Sequence, residues 1–294
     1  MHQNLLQYRG ALYLWLGLAV LVASIVIHAS QAPSLPPNGG SWQGYTLGGL
    51  GAALILWLSW LGVRKRRYRS RLGSVQGWAS AHVYLGLVLP VVALLHCNFQ
   101  VGWNVHTLAL VLLLAVVAIG LLGLVVYLVF PARLARVRAG RRRDDWLTEL
   151  NELDARIREL AQRCEARTRA ITESALDRTG LGGGVLPQLG GVDRSRVLDP
   201  APAGERQALV ANRDQATVID YLASVVPRAG KREEARAFQD LLAMFARRRT
   251  VLRKLRQDIR LQAWLEAWLY LHIPLTIGLL AALVVHVVAV FIYW

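Results

Sequence analysis

Charged residues are missing from three long parts of this 294-residue sequence. No Asp, Glu, Lys or Arg occurs in residues 11–63, 77–130 or 267–294, and only 18% of the whole sequence is charged, against about 25% in average soluble domains. Hydrophobic residues make up 54%. Such long uncharged and apolar blocks exclude a disordered chain and an ordinary soluble domain.

The uncharged blocks contain five stretches that are long enough to cross a membrane, whose hydrocarbon core of about 30 Å needs roughly 20 helical residues. They cover about residues 11–28, 44–63, 79–97, 106–130 and 267–292. We predict a helix for each, since lipid offers the backbone of a single segment no other hydrogen-bond partners. The first stretch also fits a cleaved signal peptide, because Ala29-Ser30-Gln31-Ala32 offers small residues for cleavage.

The basic residues predict the orientation of these spans, because short basic loops stay in the cytoplasm. Residues 64–71 contain six basic and no acidic side chains, whereas the loops 29–43 and 98–105 carry no formal charge. The N-terminus and residues 131–263 are therefore expected in the cytoplasm and the C-terminus outside, in a bacterial-type inner membrane. This topology accounts for most of the net charge of +15, so that nucleic acid is not an expected partner.

Cysteine is scarce as well. Cys97 and Cys164 are the only two in the sequence, and no Cys-x-x-Cys-His occurs. Covalently attached haem c and cysteine-rich iron–sulfur clusters are therefore excluded. The glycines at 182–184 are not followed by the Gly-Lys-Ser/Thr of a P-loop, and the stretch is typical of a flexible loop tip.

The residues between the fourth and fifth spans, 131–263, hold 27 basic and 18 acidic side chains and no histidine. Apolar residues spaced by three and four predict a coiled-coil-like helix at about 141–176 and a second helix at about 231–263 that runs into the fifth span. In the first helix these residues are Leu150, Leu153, Ile157, Leu160 and Cys164. A loop rich in Gly and Pro at 179–204 and a short helix at about 205–226 should form the tip.

The predicted fold is therefore all-α. Five transmembrane helices form a bundle, and a cytoplasmic antiparallel helical hairpin is inserted between helices four and five. Residues 1–130 hold the first four spans, 131–263 the insert and 264–294 the fifth span.

Histidines are the polar residues that distinguish the spans. Six of the seven lie in or at the end of one, where ionisable side chains are costly and commonly functional. His82 and His96 are 14 residues apart in the third span, and His272 and His286 are 14 residues apart in the fifth. Fourteen residues make almost four helical turns, so that each pair lies on one face of its helix, about 21 Å apart along the axis.

The third and fifth spans are expected to run parallel, because one span and the cytoplasmic insert separate them. His82 and His272 then share an inner level, and His96 and His286 share an outer level. Two histidines at one level can supply both axial ligands of a haem iron. We therefore predict two stacked haems b, an inner one on His82 and His272 and an outer one on His96 and His286.

The two His-x13-His pairs resemble those of the di-haem cytochromes b of respiratory quinone oxidoreductases, such as the cytochrome b subunit of quinol–cytochrome c reductases. His82, His96, His272 and His286 alone carry this resemblance. It implies low-spin haems b with two histidine ligands each, and electron transfer across the membrane to or from a quinone. The sequence departs from that family in its smaller number of spans, its long insert and its lack of the Pro-Glu-Trp-Tyr motif.

The surroundings of the two levels differ in charge. Arg64–Arg71 could bind the anionic propionates of the inner haem, whereas the outer side offers uncharged donors such as Gln100 and Asn104. The outer haem is therefore expected to be harder to reduce. His28, His106 and Asn104 lie at the outer end and are candidates for a quinone site or a metal site.

The sequence thus predicts an electron-transferring membrane subunit of a quinone-linked oxidoreductase. The insert is expected to dock soluble redox subunits or to form a homodimer, and the outer face is a further place for a redox partner. Two other functions stay open: a histidine-lined cation or metal transporter, and a membrane-anchored coiled-coil scaffold or sensor. The lack of Asp and Glu in the spans argues against the transporter.

Overall fold

A computed structural model describes residues 5–31, 40–67, 73–201, 208–230 and 232–292 of the protein. About 80% of the protein is helical, with almost no strand. The helices are α1 Leu12–Ala29, α2 Trp42–Ser59, α3 Leu61–Arg66, α4 Val75–His96, α5 Val105–Arg138, α6 Arg143–Ala161, α7 Ala166–Asp177, α8 Val185–Gly190, α9 Ala216–Val225 and α10 Arg232–Ile292. Two three-residue strands, β1 Arg196–Leu198 and β2 Leu209–Ala211, pair antiparallel with Val197 opposite Val210.

Five helical regions of the described chain are long and apolar enough to cross a membrane. They are α1, α2 with α3, α4, and the apolar parts of α5 and α10. The five predicted spans are confirmed in this sense of length and composition. Two side-chain caps fit the predicted starts, since Ser41 accepts from the Gly44 amide and Ser74 from the Gly77 amide.

The chain divides into two compact units. The first, which we call the span unit, consists of residues 1–125 and 268–294, and the second, the polar unit, of residues 126–267. In the span unit, α1 and α2 pack against α4. Its core is aliphatic, with Leu47 and Val92 fully buried, and small residues allow close approach: a Cβ on Gly17 would lie 3.3 Å from Val88.

The polar unit buries the predicted apolar seam. Ile157 and Cys164 pack with Phe238, Leu241 and Phe245 in one cluster. Trp146, Leu150 and Leu153 pack with Val251, Leu252 and Leu255 in another. The ion pairs between α6 and α10 show that the two helices run antiparallel. Arg143 at the start of α6 binds Asp258, and Asp154 further along α6 binds Arg248, which precedes Asp258 in α10.

Three details of the predicted insert are wrong. The helix predicted at 141–176 is two helices, α6 and α7, with a turn at 162–165. Arg169 donates to the Gln162 carbonyl there, and the turn lets Ile171 of α7 reach the core that holds Cys164. The loop predicted at 179–204 contains α8 and β1, and the helix predicted at 205–226 starts only at Ala216, after β2; its residues 205–207 lie outside the described part.

The glycine-rich stretch does not form a tip. The Gly180 carbonyl accepts from Arg256, and a Cβ on Gly191 would lie 3.3 Å from the Arg260 side chain. Both arginines are near the end of α10 that leads into its apolar part. Residues 180–191 therefore fold back along α10 and are held by contacts with arginines. These contacts join residues far apart in the sequence, so that no local pattern predicts them.

Candidate functional site

The inner pair of predicted ligands is brought together by α4 and α10. The ring centres of His82 and His272 are 6.4 Å apart, with an angle of 69° between the ring planes. His82 Nδ1 lies 3.1 Å from the carbonyl oxygen of Leu58, in the last turn of α2. A carbonyl can only accept, so Nδ1 must carry the hydrogen and Nε2 is left with a free lone pair.

The outer pair repeats this arrangement. The ring centres of His96 and His286 are 6.1 Å apart and the planes make an angle of 86°. His96 Nδ1 lies 2.8 Å from the Gly44 carbonyl oxygen in the first turn of α2. By the same reasoning, Nε2 of His96 is the nitrogen available as a ligand.

A third histidine joins the outer pair. His106, exposed at the start of α5, has its Nδ1 2.5 Å from Nδ1 of His286, and the two ring centres are 4.6 Å apart. One nitrogen must donate and the other accept, so the two rings carry their protons on different nitrogens or share one proton. The sequence predicted His106 at this end of the protein but did not predict its bond to His286.

Asn104, another candidate at the outer end, does not bond to the outer histidine pair in the described structure. Asn104 accepts from the Thr107 amide and so caps α5. With Cys97, Gln100 and His106 it lines a cavity of about 170 Å³, which is smaller than the roughly 300–1,000 Å³ of common small-molecule sites.

His28 is the remaining outer candidate, at the end of α1. Its Nδ1 is buried and has no hydrogen-bond partner among the described residues. In the part of the chain that the structure describes, the ring contacts among His96, His286 and His106 do not include His28.

Glycines give the histidine rings their space, and sequence reasoning did not identify them. A Cβ on Gly48 of α2 would lie 2.7 Å from Cε1 of His96, too close without a shift. A Cβ on Gly120 of α5 would lie 3.5 Å from Cε1 of His272. The helices that carry no ligand thus shape the walls against which the ligand rings lie, through contacts that no local pattern reveals.

Trp268 fixes α10 one turn before His272. Its indole Nε1 donates to the Ile119 carbonyl of α5 at 3.0 Å. A Cβ on Gly123 would overlap the same indole ring. The Trp268 ring lies 5.7 Å from that of His272, so that this contact helps to hold the inner ligand in place.

The ring-centre separation of each histidine pair can be compared with that of two imidazoles bound to one metal ion. Two imidazoles that bind a metal from opposite sides have ring centres about 6 Å apart, because the metal–nitrogen bond is about 2 Å and a ring nitrogen lies about 1 Å from the ring centre. The distances of 6.4 and 6.1 Å agree with this value. Any angle between the planes is compatible, since both planes can contain the axis through the two nitrogens.

Two glycines of the ligand helices lie beside open space. Among the described residues, a Cβ added to Gly86, one turn after His82, or to Gly278, between His272 and His286, would meet no atom within 4 Å.

Some of the basic residues that were predicted to bind the inner haem propionates already have partners in the protein. The Arg64 guanidinium is buried and donates to the carbonyls of Arg67 and Gly73. Lys65 is close enough to act electrostatically on His82 and His272. Of the other predicted propionate donors, Arg66 and Arg67 are exposed, and Arg69 and Arg71 lie outside the described residues.

Other metal or redox groups have little support in the described chain. No group of three or more His, Cys, Asp or Glu side chains among the described residues could hold a metal ion. Cys97 and Cys164 are free thiols. Burial raises the pKa of the Cys164 thiol, with Glu234 adding to the effect, so that this residue serves packing rather than thiolate chemistry.

Comparison with known proteins adds no further information on the site. No protein-family model, no curated protein and no solved structure matches the chain. The function is therefore inferred from the residues themselves.

Proposed function

We propose that this protein is a di-haem membrane cytochrome b that transfers electrons across the bilayer. His82 and His272 would hold the inner haem, and His96 and His286 the outer haem. The observation that carries the proposal is the presence of two inter-helix histidine pairs, each with ring centres about 6 Å apart. A haem iron held by two imidazoles takes up and releases one electron.

The residues of this chain orient the ligands. The carbonyls of Leu58 and Gly44 fix the tautomers and ring positions of His82 and His96, in the way that second-shell acceptors position metal-binding histidines. We assign the same role to His106, which would accept from Nδ1 of His286 and leave Nε2 of His286 for iron. His106 is therefore a positioning residue of the outer ligand.

The proposed cellular setting follows from the charge pattern. The chain would cross a bacterial-type inner membrane five times, with the N-terminus and the residues between spans four and five in the cytoplasm. The pairing of α6 with the first half of α10 supports an antiparallel hairpin as the main part of that insert. It would dock soluble redox subunits or a second copy of the chain.

Quinone is the proposed electron donor or acceptor. The proposal places it at the outer end, where His106 and Asn104 line a small cavity. A quinone accepts or releases protons with its electrons, and an imidazole is a side chain that can donate or accept a proton. Substituting His106 by Ala should slow haem reduction by a quinol, and unchanged rates would remove this site.

The test of the haem assignment is a set of single substitutions in the purified full-length protein. His82→Leu and His272→Leu should each remove the same haem, and His96→Leu and His286→Leu the other, as read from haem content and low-spin electron paramagnetic resonance signals. His28→Leu is the matched control and should keep both. Four variants that each retain two haems, or a chain that binds none, would contradict the proposal, and the second result would favour a cation transporter.

A further inference from the structure

An apolar segment of the polar unit lies at the end of that unit from which α10 continues into its span. The segment is Leu181–Val192, and its two ends are held by Arg256 and Arg260: Arg256 donates to the Gly180 carbonyl, and Arg260 lies beside Gly191. These arginines precede Ala267, the start of the uncharged stretch, by 11 and 7 residues, or about 16 and 10 Å of helix. The second end of the segment therefore lies about 6 Å nearer along α10 to the uncharged stretch than the first end.

This segment exposes large apolar side chains. It contains no charged residue, and Leu186, Val185 and Val192 are 81%, 57% and 56% exposed. Among the described residues 131–263, the only other exposed large apolar side chains are Leu147 and Leu209, at 37% and 39%. Leu181 packs against the cluster of Trp146 and Leu252, so that one end of the segment is anchored while its middle projects.

Arginines lie beside one end of the segment and directly after it in the sequence. Arg194, Arg196 and Arg260 are exposed. The nearest acidic group, Asp193, is already paired with Arg256 at 2.7 Å. Exposed apolar residues flanked by arginines are typical of segments that lie in the interface of a membrane with anionic lipids.

We propose that Leu181–Val192 lies in the headgroup region of the same membrane that α5 and α10 cross. Val185, Leu186 and Val192 would reach the boundary of the acyl chains, and Arg194, Arg196 and Arg260 would contact anionic headgroups. The contact would hold the polar unit against the membrane surface. This inference depends on the chain crossing a membrane and does not depend on the haems.

The first experiment measures the depth of residue 186 in the bilayer. In full-length protein with Cys97→Ser and Cys164→Ala, Leu186→Cys carries a fluorophore, and the protein is placed in vesicles of phosphatidylcholine and phosphatidylglycerol at 3:1, with and without lipids brominated near the headgroup. Ala223→Cys is the control: it is exposed on α9, which packs with Leu241, about 39 Å of helix before Ala267.

Brominated lipid should quench the probe at 186 at least threefold more strongly than the probe at 223. Equal quenching at the two positions would overturn the proposal. A probe at 186 that is shielded from aqueous iodide but not quenched by lipid would also overturn it, and would indicate a protein partner or a second copy of the chain on this segment.

A second measurement needs no substitution. Hydrogen exchange of the wild-type protein should show slower exchange of amides 185–192 in vesicles with phosphatidylglycerol than in pure phosphatidylcholine, while amides of α9 remain unchanged. No difference between the two lipids would contradict the role of the arginines.

Discussion

The two units of this protein use polar groups in opposite ways. In the span unit the central polar contacts are made by histidine side chains, which bond to backbone carbonyls or to one another. In the polar unit they are arginine–carboxylate pairs, including Arg248 with Asp154 and Arg143 with Asp258. The difference follows from the surroundings, because an isolated charge is too costly in lipid, whereas a buried ion pair beside water can be satisfied by several donors.

Exposed apolar surface shows the same contrast. Exposed large apolar side chains are spread over all the predicted spans, for example Trp15, Leu56, Leu108 and Val284. In the described part of the polar unit outside the spans they are few and concentrate in Leu181–Val192. Contact with lipid accounts for the exposed apolar residues of the spans. The exposed apolar residues of Leu181–Val192 have no such explanation within the polar unit, and they support the proposed contact of this segment with the membrane.

The largest expected effect is that the addition of a single methyl group to the span unit removes one of its two proposed haems. Gly48→Ala places a Cβ 2.7 Å from His96 and should displace this ligand, so that the outer haem is lost or becomes high-spin. Gly49→Ala is on the same helix, and its Cβ would meet no atom of the described residues within 4 Å. This variant is the matched control and should keep two low-spin haems. Identical spectra for the two variants would show that His96 has no such role.

The next effect concerns the buried charge of the polar unit. The Arg248 side chain is 1% exposed, and Arg248→Met leaves Asp154 without its partner at a cost of about 3–5 kcal/mol. We expect a clearly lower unfolding temperature of the polar unit, measured by circular dichroism. Arg163→Met, which removes the exposed pair with Glu159, should cost less than about 1 kcal/mol; equal losses would mean that burial does not distinguish the pairs.

A smaller effect tests the difference between the two histidine levels. Lys65 acts on His82 and His272, and the predicted outer level has no comparable cation. Lys65→Met should lower the midpoint potential of the inner haem by up to about 60 mV, a tenfold change for a one-electron couple, and leave the outer haem unchanged. Potentiometric titration measures both, and a wild-type outer haem with the higher potential would contradict the charge argument.

The smallest effect is a dependence of the polar unit on acid. Burial alone would raise the pKa of Asp193, but hydrogen bonds from Ser195 and the Asp214 amide and the charge of Arg256 lower the pKa below its ordinary value. The stabilisation is therefore present at neutral pH and is lost as pH falls below about 4 and through the lowered pKa. Asp193→Asn should weaken this dependence in the unfolding temperature between pH 6 and 3, while Asp177→Asn, at an exposed pair, should leave it intact.

Periodicity and charge were enough to predict the helices that can span a membrane. They were also enough to place His82 level with His272 and His96 level with His286, because a straight helix converts sequence spacing directly into depth. The turn between α6 and α7 and the return of residues 180–191 along α10 were not predicted. Both depend on contacts between distant residues, such as Arg256 with Gly180 and Asp193.

The site shows the same limit of sequence reasoning. The candidate ligands follow from their spacing, but the carbonyls of Leu58 and Gly44 and the bond from His106 to His286 become visible only when α2 and α5 are packed against the ligand helices. Gly48 is one of several glycines in α2 and has no local feature that marks it as the neighbour of His96.

The central claim is tested most directly by a count of haem in the purified wild-type chain, expressed with adequate haem supply. We predict two haems b per chain by pyridine haemochrome, with the sharp reduced-minus-oxidised α-band of low-spin iron. One haem would leave one histidine pair without its proposed cofactor, and a chain that binds no haem would contradict the account.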